Sequence, residues 1–306
     1  MENLKNTKNG LYCLLKEGLE KVAGNEKLDF YAESTKDADA KFYLSHGEKN
    51  FYNSVKPKHK LHMYYNTVAS SAAFAFNIFG EDEKNFNKGN VINYLNEEFV
   101  VKEYEKELKA LNNREPAHLD CFISSKDKDV YIETKLTEWL CAPKNLAEAY
   151  LERDGYRNED IYDHFSKFFK DFIDDTVMKD SDDRIKSTYT RYDAIQMLIH
   201  SLGIFNDYMG TNKKVELWNI VWDIDSVDNN DKCELVNPYI KMYKEESDEA
   251  KNFINYANEL IVPYFKNNGI DYAIKYIPFS EFYKNVNYIN EPGRKEYMKR
   301  YFVFSK

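Results

Sequence analysis

Residues 117–140 read AHLDCFISSKDKDVYIETKLTEWL, and the rest of the chain is read outward from this stretch. Residues 119–124 and 129–136 are rich in β-branched and aromatic side chains, and residues 125–128 between them are polar. That pattern predicts a β-hairpin. A turn centred between Lys126 and Asp127 sets Asp120 opposite Glu133, and directly opposed residues of an antiparallel pair share a face, with Cβ atoms about 4.5–5.5 Å apart. Alternation along the strand brings Lys135 to the same face, with the main-chain carbonyl of Thr134 between Glu133 and Lys135. Two carboxylates that close repel each other unless a cation lies between them. Oxygen ligands from Asp120, Glu133 and the Thr134 carbonyl suit Mg²⁺, for which Mn²⁺ can substitute. Such an ion activates a water and clamps phosphate oxygens, while Lys135 orients the water or neutralises developing charge. The expected chemistry is metal-assisted phosphodiester hydrolysis.

Upstream, Tyr65, Val68, Ala69, Ala72, Ala73 and Phe76 recur at helical spacing and Gly80 stands at a C-cap, which predicts a helix over 61–79. Residues 98–108, EFVVKEYEKEL, suit either state. We read a short strand near 98–103 running into a polar segment, and a first helix near 10–22. Downstream, residues 137–190 read as an all-helical, highly charged insertion. Residues 191–202 read as a helix apolar nearly all round, ended by Gly203. Residues 215–224 read as a buried strand in which Trp218 and Trp222 are core. After a polar loop come a helix over 248–268, interrupted near Pro263, and a strand over 271–277.

The chain has 306 residues, with 43 Lys or Arg against 52 Asp or Glu and a formal charge of −9. Acidity on this scale argues against a protein that coats DNA electrostatically, and it leaves room for a local basic cleft. Cys13, Cys121, Cys141 and Cys233 lie far apart without a CxxC pair, so neither a zinc knuckle nor a disulfide framework is indicated. MENLKNTKNG carries no apolar signal core, and residues 68–80 are too short to span a bilayer. We expect a cytoplasmic protein without a membrane segment. His59 and His62 have too little acidic company for a metal site.

Asp120, twelve intervening positions, then Glu133-Thr134-Lys135 on adjacent strands resembles the PD-(D/E)XK nuclease superfamily, and the chain is similar to bacterial restriction endonucleases of that fold. The resemblance covers roughly residues 61–224. It implies an α/β fold with an αβββαβ core and a mixed sheet, the insertion at 137–190, and additions at 1–60 and 232–306, all within one elaborated domain. RYDAIQML looks like the helix that follows the motif in such enzymes, where a Gln supports the site, so Gln196 joins Asp120, Glu133 and Lys135 as catalytic. Two departures stand out. Leu119-Asp120 replaces the Pro-Asp pair, and residues 61–79 carry no acid, a place that Glu97 or Glu98 would have to fill. The function implied is a Mg²⁺-dependent endonuclease acting on DNA in restriction or defence, and a homodimer is compatible with it. Its rivals are a non-catalytic nucleic-acid- or protein-binding module on the same fold, and an RNA- or structure-specific nuclease.

Further candidates follow from position. His118, two residues before Asp120, would face the site as a phosphate contact or base, where a packing or solvated His is the plainer reading. Tyr192, Gln196 and His200 are spaced by four along one helix. A Gln in so apolar a helix needs hydrogen-bond partners, which the hairpin can supply. Lys186 and Arg191 would meet phosphates at the mouth of the site. Arg153 and Arg157, with Lys144, Lys167, Lys170 and the aromatics Tyr150, Tyr156, Tyr162 and Phe168, would read DNA. The acids Asp171, Asp174, Asp175 and those at 180–183 oppose that reading.

Overall fold

The computed structural model describes residues 71–80, 90–140, 145–174, 184–224, 233–289 and 292–302, with a few helical positions between 15 and 20. The expectations for residues 10–14, 21–70 and 180–183 lie outside the described residues.

The first helix described throughout, α1 (Ser71–Phe79), ends at Gly80 as its spacing predicts. Gly80 has φ +33°, and the position a Cβ would take is filled by the buried Arg294 guanidinium. Arg294 Nη1 donates to the carbonyls of Asn77 (2.9 Å) and Phe76 (3.3 Å), so a cation closes the negative end of the helix. Next come β1 (Val91–Tyr94) and β2 (Glu97–Leu108), then β3 (Ala117–Ser124) and β4 (Lys128–Lys135). β2 is one twelve-residue strand, longer than the short strand expected, and β1 was not anticipated. Pairing with β3 over almost its whole length overrides the helical tendency of KEYEKEL.

The insertion is not all-helical. Among its described residues it holds a two-stranded sheet of β5 (Asn145–Ala147) and β6 (Arg184–Lys186) and one long helix, α2 (Glu159–Lys170). Helix α3 (Ala194–Tyr208) runs through Gly203 instead of ending there. A Cβ on Gly203 would lie 2.7 Å from Leu108 Cβ, so glycine at this position permits close helix–sheet approach and does not mark a cap. β7 (Lys214–Val221) is buried at all positions but its first, as a strand covered on both faces must be.

Helix α4 (Cys233–Tyr256) begins fifteen residues earlier than expected. A π turn at Ala257–Ile261 separates it from α5 (Val262–Asn267), whose first turn holds Pro263, where a missing N–H costs little. β8 (Asp271–Pro278), α6 (Phe279–Asn285), β9 (Val286–Tyr288) and α7 (Pro292–Tyr297) complete the described chain.

Seven strands form one mixed sheet in the order β8-β7-β4-β3-β2-β1-β9. β4, β7 and β8 are parallel to one another, which demands crossovers, and α3 and then α4–α5 make them. One apolar cluster covers one face with Phe74, Ile132, Trp218, Trp222 and Phe279. The other face carries Leu119, Tyr131, Leu198, Phe205 and Phe265. Tyr239 and Tyr243 of α4 belong to the first cluster and Ala250 and Phe253 to the second, so this helix passes from one face to the other. The α/β fold with a mixed sheet is that expected of a restriction-endonuclease-like chain. Among the described residues no helix is long and apolar enough to cross a membrane.

Candidate active site

The hairpin turn is closed by Ser125 N–H donating to the Lys128 carbonyl (2.9 Å) and by Lys128 N–H donating to Ser125 Oγ (3.1 Å). Cys121 then pairs with Ile132 and Ser124 with Asp129, the register that puts Asp120 across from Glu133. The ladder ends one position short of that pair. The Asp120 carboxylate turns instead onto Thr134, its Oδ2 accepting from the backbone N–H (2.7 Å) and from Oγ1 (2.6 Å). Ser71 at the start of α1 offers its carbonyl to the same hydroxyl at 3.2 Å.

Glu133 is 4% exposed and held by a closed ring of three side chains. Lys135 Nζ donates to Glu133 Oε1 (2.8 Å) and to Gln196 Oε1 (2.7 Å), and Gln196 Nε2 donates to Glu133 Oε1 (2.8 Å). An amide can accept from the lysine and donate to the carboxylate at once. Asp193 caps α3 by accepting from Gln196 N–H (2.9 Å), and Asn219 of β7 donates to the Glu133 carbonyl (3.1 Å). The second oxygen, Glu133 Oε2, has no hydrogen bond. It lies 3.3 Å from Nε2 of the buried His200, a contact too poorly aligned to count as one.

Sequence reasoning missed Glu105, which sits opposite Asp120 on the other side, between the pairs Tyr104–Cys121 and Lys106–Leu119. Its φ of +49° breaks the alternation of β2. Tyr104 therefore joins one core cluster while Lys106 lies over the Phe122 ring that packs against the other. Nothing in KEYEKEL announces a left-handed residue.

The charges confirm the crowding. Burial pushes Glu105 up to about 7, helped by Glu133. Burial, then the charges of Glu133 and Glu105, lift Asp120 well above the usual carboxylate range against the Thr134 hydrogen bond. Burial would also raise Glu133, yet Lys135 and His200 hold it at about 2. Burial would lower Lys135, but Glu133, Glu138 and Asp193 raise it well above the ordinary lysine value. One lysine faces three carboxylates, so the cluster favours added positive charge.

Among the described residues no group of three or more His, Cys, Asp and Glu side chains is already gathered to hold a metal ion. The donor chemistry does suit a hard divalent cation: mutually repelling carboxylates, together with a buried carboxylate oxygen that lacks a hydrogen bond.

The remaining candidates are scattered. Glu98 is exposed and pairs with Asn93 beside the β1–β2 turn, and Glu97 binds Lys128 (2.8 Å), so both lie at the far end of β2 from Asp120. His118 is exposed on β3. Tyr192 precedes α3 rather than continuing the Gln196–His200 stripe, and its ring packs on Phe253 and Tyr276. Arg157 donates to the Asn206 carbonyl near the end of α3, Arg153 pairs with Glu159 (3.3 Å), and Arg191 Nε pairs with Glu245 (3.3 Å). Lys186 is exposed on β6.

A family model described as Restriction Endonuclease associating with ARP matches residues 34–252. No curated protein and no solved structure matches the chain.

Proposed function

The chain belongs to the family of restriction endonucleases associating with ARP, and from that premise we propose that it is a Mg²⁺-dependent endonuclease that hydrolyses DNA phosphodiester bonds. The observation that carries the reading is the Lys135–Glu133–Gln196 ring, set where β3 and β4 part and bordered by Asp120 and Glu105. Asp120, Glu133 and the Thr134 carbonyl would hold the ion, with Glu105 close enough for its charge to bear on it. A bound Mg²⁺, or Mn²⁺ in its place, supplies a water of lowered pKa and charge stabilisation at the phosphoryl oxygens.

The chain's own residues do the rest. Gln196 fixes the Lys135 ammonium so that one donor remains directed at the substrate side, where it orients a water or offsets charge on the attacked phosphate. Glu133 keeps that lysine protonated at any ordinary pH. Both Thr134 contacts fall on Asp120 Oδ2, so the other oxygen of the same carboxylate can serve a cation while Thr134 holds the side chain in place.

One observation favours a second reading. With Asp120 Oδ2 bonded to Thr134 and no preformed ligand group among the described residues, a binding module on a nuclease fold is the rival. Plasmid, linear duplex and RNA incubated with Mg²⁺, Mn²⁺ or EDTA decide between them. Divalent-dependent cuts in DNA support the endonuclease, retained binding without cleavage supports the module, and cuts in RNA alone redirect the substrate.

A further inference from the structure

We propose that the backbone amides of residues 190–192, with the Arg191 guanidinium, form a binding site for a phosphate of the DNA backbone, and that Glu249 and Glu245 of α4 fill this site in the free protein. The choice of DNA rests on the endonuclease reading; the anion site itself does not.

Three successive N–H groups converge on one carboxylate. Thr190 N–H donates to Glu249 Oε1 (2.8 Å), joined there by Thr190 Oγ1 (2.9 Å), while Arg191 N–H and Tyr192 N–H donate to Oε2 (2.8 Å each). Consecutive amides aimed at one point make an anion-binding concavity, and a phosphate offers the same pair of anionic oxygens as a carboxylate. Beside it, Arg191 Nε donates to Glu245 Oε2 (3.3 Å). Two acids one helical turn apart, about 6 Å along the axis, thus take both anion-binding features of a single loop.

Position argues that this is a substrate subsite. The loop leads into the positive end of the fifteen-residue α3, which carries Gln196, and Asp193 between them bears on the Lys135 charge. A phosphate here would border the catalytic cluster. The site is open on its Thr190 side, where both hydrogen bonds to Glu249 are exposed, and part-buried at Arg191 and Tyr192. Packing does not depend on Glu249, because Ala250 and Phe253 bury the same stretch of α4.

The test uses the full chain in EDTA, so that binding is read without cleavage and survives a failure of the nuclease reading. Labelled duplex DNA is titrated by fluorescence anisotropy at several salt concentrations with wild type, Glu249→Gln and Glu249→Ala. Affinity should rise in both variants on the order of tenfold, and the slope of log K against log salt should steepen by about one. Hydrogen–deuterium exchange of the 188–193 segment should slow on adding DNA to the variants, and Arg191→Ala should remove much of the gain. If Glu249→Ala misfolds, Glu249→Gln carries the comparison, since it removes the charge and keeps one of the two acceptor oxygens, its NH2 then facing the donors of the other. Variants that bind DNA no tighter, or tighter without protection of residues 190–192, overturn the proposal and make Glu249 a fastener between α4 and the loop. Protection by inorganic phosphate alone, without a gain for DNA, overturns the assignment to the DNA backbone.

Discussion

Strand β4 carries a buried lysine–carboxylate cluster at each end, and the two are built to opposite specifications. At the turn end Glu216 is saturated: Lys275 (2.6 Å) and Trp218 Nε1 (2.7 Å) donate to Oε2, and Lys128 (3.1 Å) donates to Oε1. Lys214 lies at 3.9 Å, and Lys128 also holds Glu97 at 2.8 Å. At the other end a single lysine serves Glu133 while Asp120 and Glu105 add negative charge, and Glu133 Oε2 lacks a hydrogen bond. The first cluster sets three lysines against two carboxylates and is closed, which suits a fold. The second is left short of positive charge, which suits a site.

The largest expected effect lies at the closed end. Glu216→Ala leaves Lys128 beside the part-exposed Lys214 and Lys275 around a buried gap and should cost about 2–4 kcal/mol in urea denaturation, with or without Mg²⁺. The folded fraction should keep its specific cleavage activity. Equal losses of activity and stability would erase the distinction between the ends.

At the open end, Lys135→Ala should slow single-turnover cleavage about 10²–10³-fold while metal binding persists. Cleavage at the wild-type rate would remove Lys135 from the chemistry. Glu105→Gln should do what no substitution at Glu216 can: stabilise the metal-free protein at pH 8 by about 1–2 kcal/mol and shrink the stabilisation that Mg²⁺ provides. Loss of stability in that variant would mean that Glu105 is bonded into the fold after all.

The smallest effect sharpens the contrast through pH. Glu105 has a raised folded pKa of about 7, so its ionisation is a burden that grows as pH climbs from the unfolded value to about 7 and levels off above it. Burial would raise Glu216, but Lys275, Trp218 and Lys128 pull it below its ordinary value. Its contribution is therefore present above the unfolded pKa and lost as pH falls through the folded one. Metal-free stability should decline from pH 5 to pH 8 in wild type and decline less in Glu105→Gln. An unchanged profile in the variant would show that another group sets the slope.

Much of the open end was legible in the sequence, for local reasons. Residues 125–128 are polar between two apolar runs, so the turn and the Asp120–Glu133 register follow from counting. Gln196 stood out because an amide in an apolar helix must find partners, and it found Glu133 and Lys135. Glu105 is hidden by a backbone flip that a Glu gives no sign of, whereas Glu98, the acid the sequence offers, lies at the other end of the strand. Gly203 was read as a cap because spacing cannot tell a helix end from a close approach to Leu108. Arg157 and Arg191, expected to meet DNA, bond to the Asn206 carbonyl and Glu245 through tertiary contacts that a linear pattern does not contain, and Arg153 pairs locally with Glu159.

The central claim is that the open end of β4 is short of one cation. Calorimetric titration of Mn²⁺ and Mg²⁺ into metal-free wild type, Asp120→Asn and Glu216→Gln tests it most directly. The account predicts saturable binding in wild type, a marked weakening in Asp120→Asn and no change in Glu216→Gln. Absence of binding in wild type, or equal binding in wild type and Asp120→Asn, would contradict it.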